Sequence, residues 1–200
     1  MGGIELRDDT LVVGREPNRL DDLAISFSSI LDRFDLQHVY IAGYVSILAG
    51  RARSTEDIDI LIEPIDEETA NELADALTEE GFWGPAMPLN SMYEMLENGD
   101  NIWIATADQI TPHLELKFAR DEFDTAALEN AIEASIAGER IPIGPLELQI
   151  ADKLHLGTQT DVEDAVHLFT LFEESLSVSQ LENWVRELDV EDEYGRLRRA

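Results

Sequence analysis

Apolar and polar positions along this chain change period several times. Residues 4–13 alternate, which predicts an edge strand or a hairpin. From Pro17 to about Phe34 the apolar residues Leu20, Leu23, Phe27, Ile30, Leu31 and Phe34 recur at helical spacing, and Pro17 suits a helix start. Val39–Ala42 reads as a buried strand, and Val45–Ala49 as a short helix ended near Gly50. Asp57–Ile62 is a strand closed by Pro64, and Asp66 is the N-cap of a helix reaching Glu80, with Gly81 just beyond. After a loop at 84–90 come a short helix over 91–97 and strands at Asn101–Ala105 and His113–Phe118. Thr125–Ala137 reads as a helix stopped by Gly138, followed by a short strand, Arg140–Ile143. Leu148–Leu156, Val162–Glu173 and Ser179–Leu188 then predict three packed helices. The expected organisation is an α/β core over 1–144 and a helical part over 145–200, the latter either an extension or a piece of the same compact domain.

Composition supports a folded chain: 200 residues with 44% hydrophobic content suffice for one sizeable core. Charge changes the picture more. Asp and Glu number 43 against 14 Lys and Arg, a formal charge of −29. Two readings stay open, an acidic surface adapted to a salt-rich cytoplasm or an acidic protein with a basic partner. Either field disfavours a large nucleic-acid footprint. The absence of cysteine excludes disulfides and thiolate metal sites. No apolar run reaches membrane-spanning length and the first residues lack a secretory pattern. The expectation is a cytoplasmic protein of a salt-adapted organism, with no membrane partner.

Candidate chemistry concentrates in Gly43–Glu63. Strand residues two apart face the same way, so Asp57 and Asp59 project together while Ile58 and Ile60 face the core. Close carboxylates repel unless a cation lies between them, and Mg²⁺ or Mn²⁺ suits their oxygens. Asp-x-Asp also occurs on ordinary solvated strands, so its surroundings matter. Gly43 follows an apolar strand and precedes a short helix whose first N–H groups can receive phosphate oxygens. Arg51 and Arg53 either clamp phosphate or pair with nearby acids. Thr55 reads as structural, and Ser54 either caps the approach to the strand or bonds substrate. His113, Glu115 and Lys117 share a strand face; Glu115 completes a metal site, serves as general base, or pairs with Lys117. Phe82-Trp83 either stacks on a base or anchors a loop.

With these residues in place, the chain resembles the nucleotidyltransferase superfamily, and within it the minimal nucleotidyltransferases and the toxin-type enzymes of the abortive-infection group. The family pattern of two small residues, a short helix, an Arg-Ser/Thr loop and an Asp-x-Asp strand is matched by Gly43-Tyr44, Arg53-Ser54-Thr55 and Asp57-Ile58-Asp59. A second motif, a lysine followed on the next helix by two acids, is matched by Lys153, Asp161 and Asp164. The resemblance implies a nucleotidyltransferase α/β fold with a mixed central sheet, flanking helices and a helical C-terminal part. It implies metal ligation by Asp57, Asp59 and Glu115, and nucleotide contacts from Gly43, Tyr44, Arg53, Ser54 and Lys153. Asp161 or Asp164 would orient the acceptor or add acid–base work. Tyr44, Glu115 and Thr160 depart from the common pattern.

The implied reaction moves a nucleoside monophosphate from a nucleoside triphosphate to a hydroxyl on a protein, an RNA or a small molecule. An antitoxin or other protein partner and a homo-oligomer are open partners. The main alternative is a catalytically inactive member of the fold that binds a partner protein. A metal-dependent glycosyltransferase built on Asp57 and Asp59 is the third reading.

Overall fold

The computed structural model describes residues 3–199; Met1, Gly2 and Ala200 lie outside the described residues. Its strands are β1 (Glu5–Arg7), β2 (Thr10–Val13), β3 (His38–Tyr40), β4 (Asp57–Ile62), β5 (Phe82–Trp83), β6 (Ile102–Thr106), β7 (His113–Phe118), β8 (Ile132–Ile136) and β9 (Glu139–Ile143). Its α-helices are α1 (Arg19–Arg33), α2 (Ala42–Leu48), α3 (Glu67–Glu79), α4 (Met92–Asn98), α5 (Glu122–Glu129), α6 (Leu146–Leu156), α7 (Gln159–Phe172), α8 (Val178–Glu187) and α9 (Glu191–Leu197). The strands form one mixed sheet in the order β1-β2-β8-β9-β3-β4-β7-β6-β5. Among the described residues, no helix is long and apolar enough to cross a membrane.

Alternation along the central strands decides how the sheet is covered. Ile58, Ile60 and Ile62 of β4, Leu114, Leu116 and Phe118 of β7, and Ile102 and Ile104 of β6 share one buried cluster with Leu23, Phe27 and Leu31 of α1 and Leu73 and Leu77 of α3. A smaller cluster joins Val39 and Leu61 to Ala126 and Ala127 of α5 and Leu148 of α6. It covers β3 and the far half of β4. The first half of β4, with Asp57 and Asp59, is left only partly covered. Apolar residues of α6 to α9, including Ile150, Leu168, Val185 and Leu197, belong to the large cluster that also holds the sheet's inner face.

Helix α1 is closed at its start by Asn18, whose side chain accepts from Leu20 and Asp21 while Asp21 accepts from the Asn18 N–H, a capping box. Asp66 caps α3 through Thr69 N–H as expected from sequence. The alternating segment at the N-terminus is a hairpin of β1 and β2.

The sequence expectation lacks β5 and α9, and its helix over 125–137 is divided. Thr125–Ala137 is not one helix: α5 ends at Glu129 and residues 132–136 form β8, paired antiparallel with β9 and parallel with β2. The reason is the turn at Ala137-Gly138, with φ of +51° and +97°, the left-handed conformation that closes a two-residue hairpin. Gly138 marks a strand reversal rather than a helix end. A β-carbon on Gly138 would meet nothing within 4 Å, so only backbone strain opposes substitution. Gly138→Ala should therefore cost about 1 kcal/mol in urea unfolding; an unchanged midpoint would contradict the turn as described.

Candidate functional site

Register brings the acids together. β4 and β7 are parallel neighbours, with Asp57 opposite His113, Asp59 opposite Glu115 and Leu61 opposite Lys117. All six lie on the face away from the α1 and α3 layer, because their intervening neighbours fill that core. The Thr55 hydroxyl donates to Asp57 Oδ1 at 2.5 Å and fixes that carboxylate. The Asn101 amide donates to Glu115 Oε2 at 3.3 Å. Burial, then the charges of Asp57 and Glu115, push the Asp59 carboxyl up to about 6, against a smaller opposing pull from Lys117 and Lys153. The site therefore carries negative charge that the protein itself does not neutralise.

Whether these residues fit a metal can be judged from that charge and from the donors. Their oxygens are hard, and a divalent cation would relieve the repulsion that raises Asp59. Among the described residues, however, no group of three or more His, Cys, Asp or Glu side chains is converged tightly enough to hold an ion as it stands. The donor chemistry suits a divalent cation, and ligation requires side-chain adjustment around it.

The turn before α2 differs from the sequence expectation by one position. Gly43 does not precede the helix; it lies in its first turn, and Ala42 takes the left-handed conformation at φ +58°. The small-residue pair shaping the turn is thus Ala42-Gly43, not Gly43-Tyr44. Gln149, buried on α6, accepts the Ala42 N–H at 2.8 Å. Gly43 permits a close approach: a β-carbon there would lie 3.1–3.2 Å from the Arg53 guanidinium, which would have to shift by a few tenths of an ångström.

The Tyr44 side chain is in the core and does not line a nucleotide pocket. It is fully buried, packs edge-on against Tyr40 at 5.8 Å, and donates to Asp21 Oδ1 at 2.9 Å. Asp21 is itself buried and held by Arg15 and the Asn18 N–H. Only the Tyr44 backbone can serve a ligand at the helix start. Burial and the Asp21 carboxylate raise the Tyr44 phenol well above its ordinary value, so it stays a donor.

The second motif forms a closed ionic hub around Asp164, which is fully buried. Lys153 Nζ donates to Asp164 Oδ2 at 3.0 Å, Arg53 Nη1 to the same oxygen at 2.5 Å, and Arg51 Nε to Oδ1 at 3.3 Å. Burial alone would raise the Asp164 carboxyl, but the Lys153 and Arg53 hydrogen bonds and charges outweigh it and hold it below the ordinary value. Lys153 is 1% exposed, so it is no solvated surface cation. Asp161 sits at the edge of the hub, 3.7 Å from Lys153 Nζ, and accepts from the capping Thr158 hydroxyl at 2.5 Å. Ser54 is exposed in the arginine loop, and Thr160 is exposed at the start of α7. Arg53 keeps a buried Nε without a partner.

Four residues near the site were not assigned to it from sequence: Gln149, Asp152, Trp103 and His113. Ile41, Leu61, Lys117, Asp124, Gln149 and Asp152 help line a cavity of about 360 Å³ between α5 and α6, and Asp57, Asp59 and Glu115 are not in its lining. Burial raises the Asp152 carboxyl, offset in part by Lys153 and His155. Another cavity, of about 370 Å³, lies between α1 and the β6–β7 loop and includes none of the carboxylates. Gln149 and Asp152 sit on α6 among apolar residues, where sequence offers no signal separating them from surface positions.

No protein-family model matches this chain, and no curated protein matches it. Solved structures do. An antigenic nucleotidyltransferase-like protein from Paracoccidioides brasiliensis superposes with a TM-score of 0.56 at 18% identity, over 88% of this chain and 91% of that one. ANT(2″)-Ia in complex with adenylyl-2″-tobramycin superposes with a TM-score of 0.52 at 17% identity, over 84% of this chain and 95% of that one.

Two predictions follow from the electrostatics. Asp164→Asn should cost about 3–5 kcal/mol, because three cations lose a buried partner, whereas Asp161→Asn should cost about 1 kcal/mol or less; equal effects in denaturant unfolding would contradict the hub. Ionised Asp59 opposes folding above its raised pKa of about 6, and that cost fades as pH falls toward the unfolded value. Asp59→Asn should therefore stabilise the metal-free protein by about 1–2 kcal/mol at about pH 8 and by almost nothing at about pH 4. Destabilisation at the higher pH would contradict the charge balance. The β4–β7 register, the layers around it and these superpositions together give the chain the nucleotidyltransferase fold.

Proposed function

We propose that this protein is a divalent-metal-dependent nucleotidyltransferase, moving a nucleoside monophosphate from a nucleoside triphosphate to a hydroxyl acceptor. The observation that carries this reading is the juxtaposition of Asp57, Asp59 and Glu115 on one partly open sheet face, beside the α2 turn and Arg53. Asp57 and Asp59 would hold Mg²⁺ or Mn²⁺, with Glu115 as third ligand or as base. Bound there, the ion would neutralise phosphate charge and orient the reacting oxygens.

The remaining roles belong to the chain. The Gly43 and Tyr44 N–H groups and the free donors of Arg53 bind phosphate oxygens. Lys153 acts through Asp164: it keeps that carboxylate ionised and so keeps Arg53 aimed at the α2 turn. Ser54 contacts the nucleotide from the arginine loop. Asp161, near Lys153, would orient an acceptor group through Oδ1 while Oδ2 accepts from Thr158. The cavity at Gln149 and Asp152 gives space for the rest of the nucleotide. Positioning and preorganised charge account for most of the catalysis. Tyr44, buried away from the turn, does not obstruct phosphate.

A protein partner, including an antitoxin, is supported by a half-exposed apolar stripe on α7, Val162, Val166 and Leu171, bordering Arg51. That reading is compatible with catalysis and with a retired enzyme. The acidic surface supports a salt-adapted cytoplasmic setting.

Calorimetry with the four nucleoside triphosphates in molar potassium chloride separates these readings. The expected result is binding that requires Mg²⁺ and weakens at least about a hundredfold in Asp57→Asn/Asp59→Asn. Folded protein that binds none of the four would contradict the enzymatic reading.

A further inference from the structure

Gln149 is a buried polar side chain in a mostly apolar stretch of α6, and its amide is held in one orientation. It is 4% exposed and lies between Leu148 and Ile150, both buried. Its Oε1 accepts the Ala42 N–H at 2.8 Å. A backbone N–H can donate only to the oxygen, so this bond fixes which way the amide faces. Nε2 is left without an acceptor among the described residues, and Gln149 lines the cavity of about 360 Å³ between α5 and α6. Gly144 makes room for the amide: a β-carbon there would lie 2.7 Å from Nε2 and 3.3 Å from Ile41 Cγ2.

The partner of that bond is a strained residue. Ala42 takes φ +58°, a conformation that a residue with a β-carbon adopts only when its surroundings impose it. Ile41, just before it, gives α2 no side-chain cap. The segment is tethered instead from outside: Gly144 N–H donates to Tyr40 O at 2.8 Å, Ile41 N–H to Asp59 O at 3.1 Å, and Ala42 N–H to Gln149. Only the last tether is a side chain, so only it can be cut by substitution. Gly43 follows directly, against the Arg53 guanidinium. Four residues along the same helix, Lys153 bonds Asp164, which holds Arg53. Helix α6 thus governs both partners of the Gly43–Arg53 contact.

Resting on the nucleotidyl-transfer reading, we propose that Gln149 is a binding and positioning residue with two contacts. Oε1 holds the turn that sets Gly43 against Arg53, and Nε2 donates to an acceptor atom on the edge of the nucleobase. The base lies in the cavity between α5 and α6, where Ile41, Leu61, Phe123 and Leu148 offer apolar surface to a flat ring. A buried donor that no protein group satisfies favours a ligand able to complete it. One amide makes both contacts, so a seated base and a set turn reinforce each other. Gln149 takes no part in the bond changes.

Two ligands separate the contacts: the tightest-binding Mg·NTP of the four, and Mg·ribose 5-triphosphate, which has the same sugar and phosphates without a base. Gln149→Met keeps the side chain's length and removes both hydrogen bonds. Calorimetry should show the Mg·NTP affinity of this variant falling at least about tenfold further than its Mg·ribose 5-triphosphate affinity. Hydrogen exchange of the Ala42 amide, followed by NMR, should speed up about tenfold or more. Gly144→Ala presses on Nε2 without removing it and should weaken Mg·NTP by about threefold or more; it carries the test if circular dichroism shows Gln149→Met unfolded. Equal losses for the two ligands, unchanged Ala42 exchange in folded Gln149→Met, or unchanged Mg·NTP affinity in Gly144→Ala would overturn the proposal. Wild-type protein that binds neither ligand would instead defeat the nucleotidyl-transfer reading and the base contact with it. That failure is distinguishable, because faster Ala42 exchange in Gln149→Met would still show the turn held by Gln149.

Discussion

The site depends on one buried carboxylate. Asp164 reaches from α7 into the space between α6 and the arginine loop, where Lys153, Arg53 and Arg51 meet it. Desolvating a carboxylate is costly, and these three cations repay that cost only while all are in place. The contact ties the C-terminal helices to the loop that leads into β4. It also holds the Arg53 guanidinium against Gly43, where a β-carbon on residue 43 would crowd it at 3.1–3.2 Å. A strongly acidic chain with 14 basic residues has committed three of them to this single point.

Opposite the hub, the sheet gathers charge without neutralising it. Asp57, Asp59 and Glu115 are neighbours by strand register, and burial together with mutual repulsion raises Asp59. One side of β4 thus holds three cations balanced by Asp161, Glu163 and Asp164, and β4 and β7 themselves offer unsatisfied negative charge. The β4 and β7 acids suit a divalent cation. The aromatic surface at Trp103 and His113 continues the same face beyond the acids.

Much of this frame was legible in the sequence because alternation in β4 and β7 is strict. Both strands have the expected bounds, and their acids share the expected face. What was not legible depended on geometry that no local pattern encodes. The apolar stripe of α5 runs on past Asn130, and only the left-handed turn at Ala137-Gly138 reveals β8 as a strand. Ala42 holds a conformation usually given to glycine, which places the turn ahead of α2 one residue earlier than expected. Asp161 and Asp164 lie one helical turn apart, and the rotational setting of α7 decides that Asp164 faces inward. The direction of Tyr44, toward Asp21, is set by the packing of α2 on α1, which its neighbours in sequence do not encode. His113 looked ordinary because an unpartnered ring is visible only when its neighbours are known.

The central claim is that Asp57 and Asp59 hold a metal-bound nucleoside triphosphate with its phosphates toward Gly43 and Arg53. A crystal structure with Mn²⁺ and a non-hydrolysable nucleoside triphosphate tests it most directly, since manganese is located by its anomalous signal. The account predicts an anomalous peak ligated by both aspartates and by phosphate oxygens, with the phosphate tail against the α2 turn. An ordered nucleotide whose metal and phosphates lie away from Asp57 and Asp59 would contradict it.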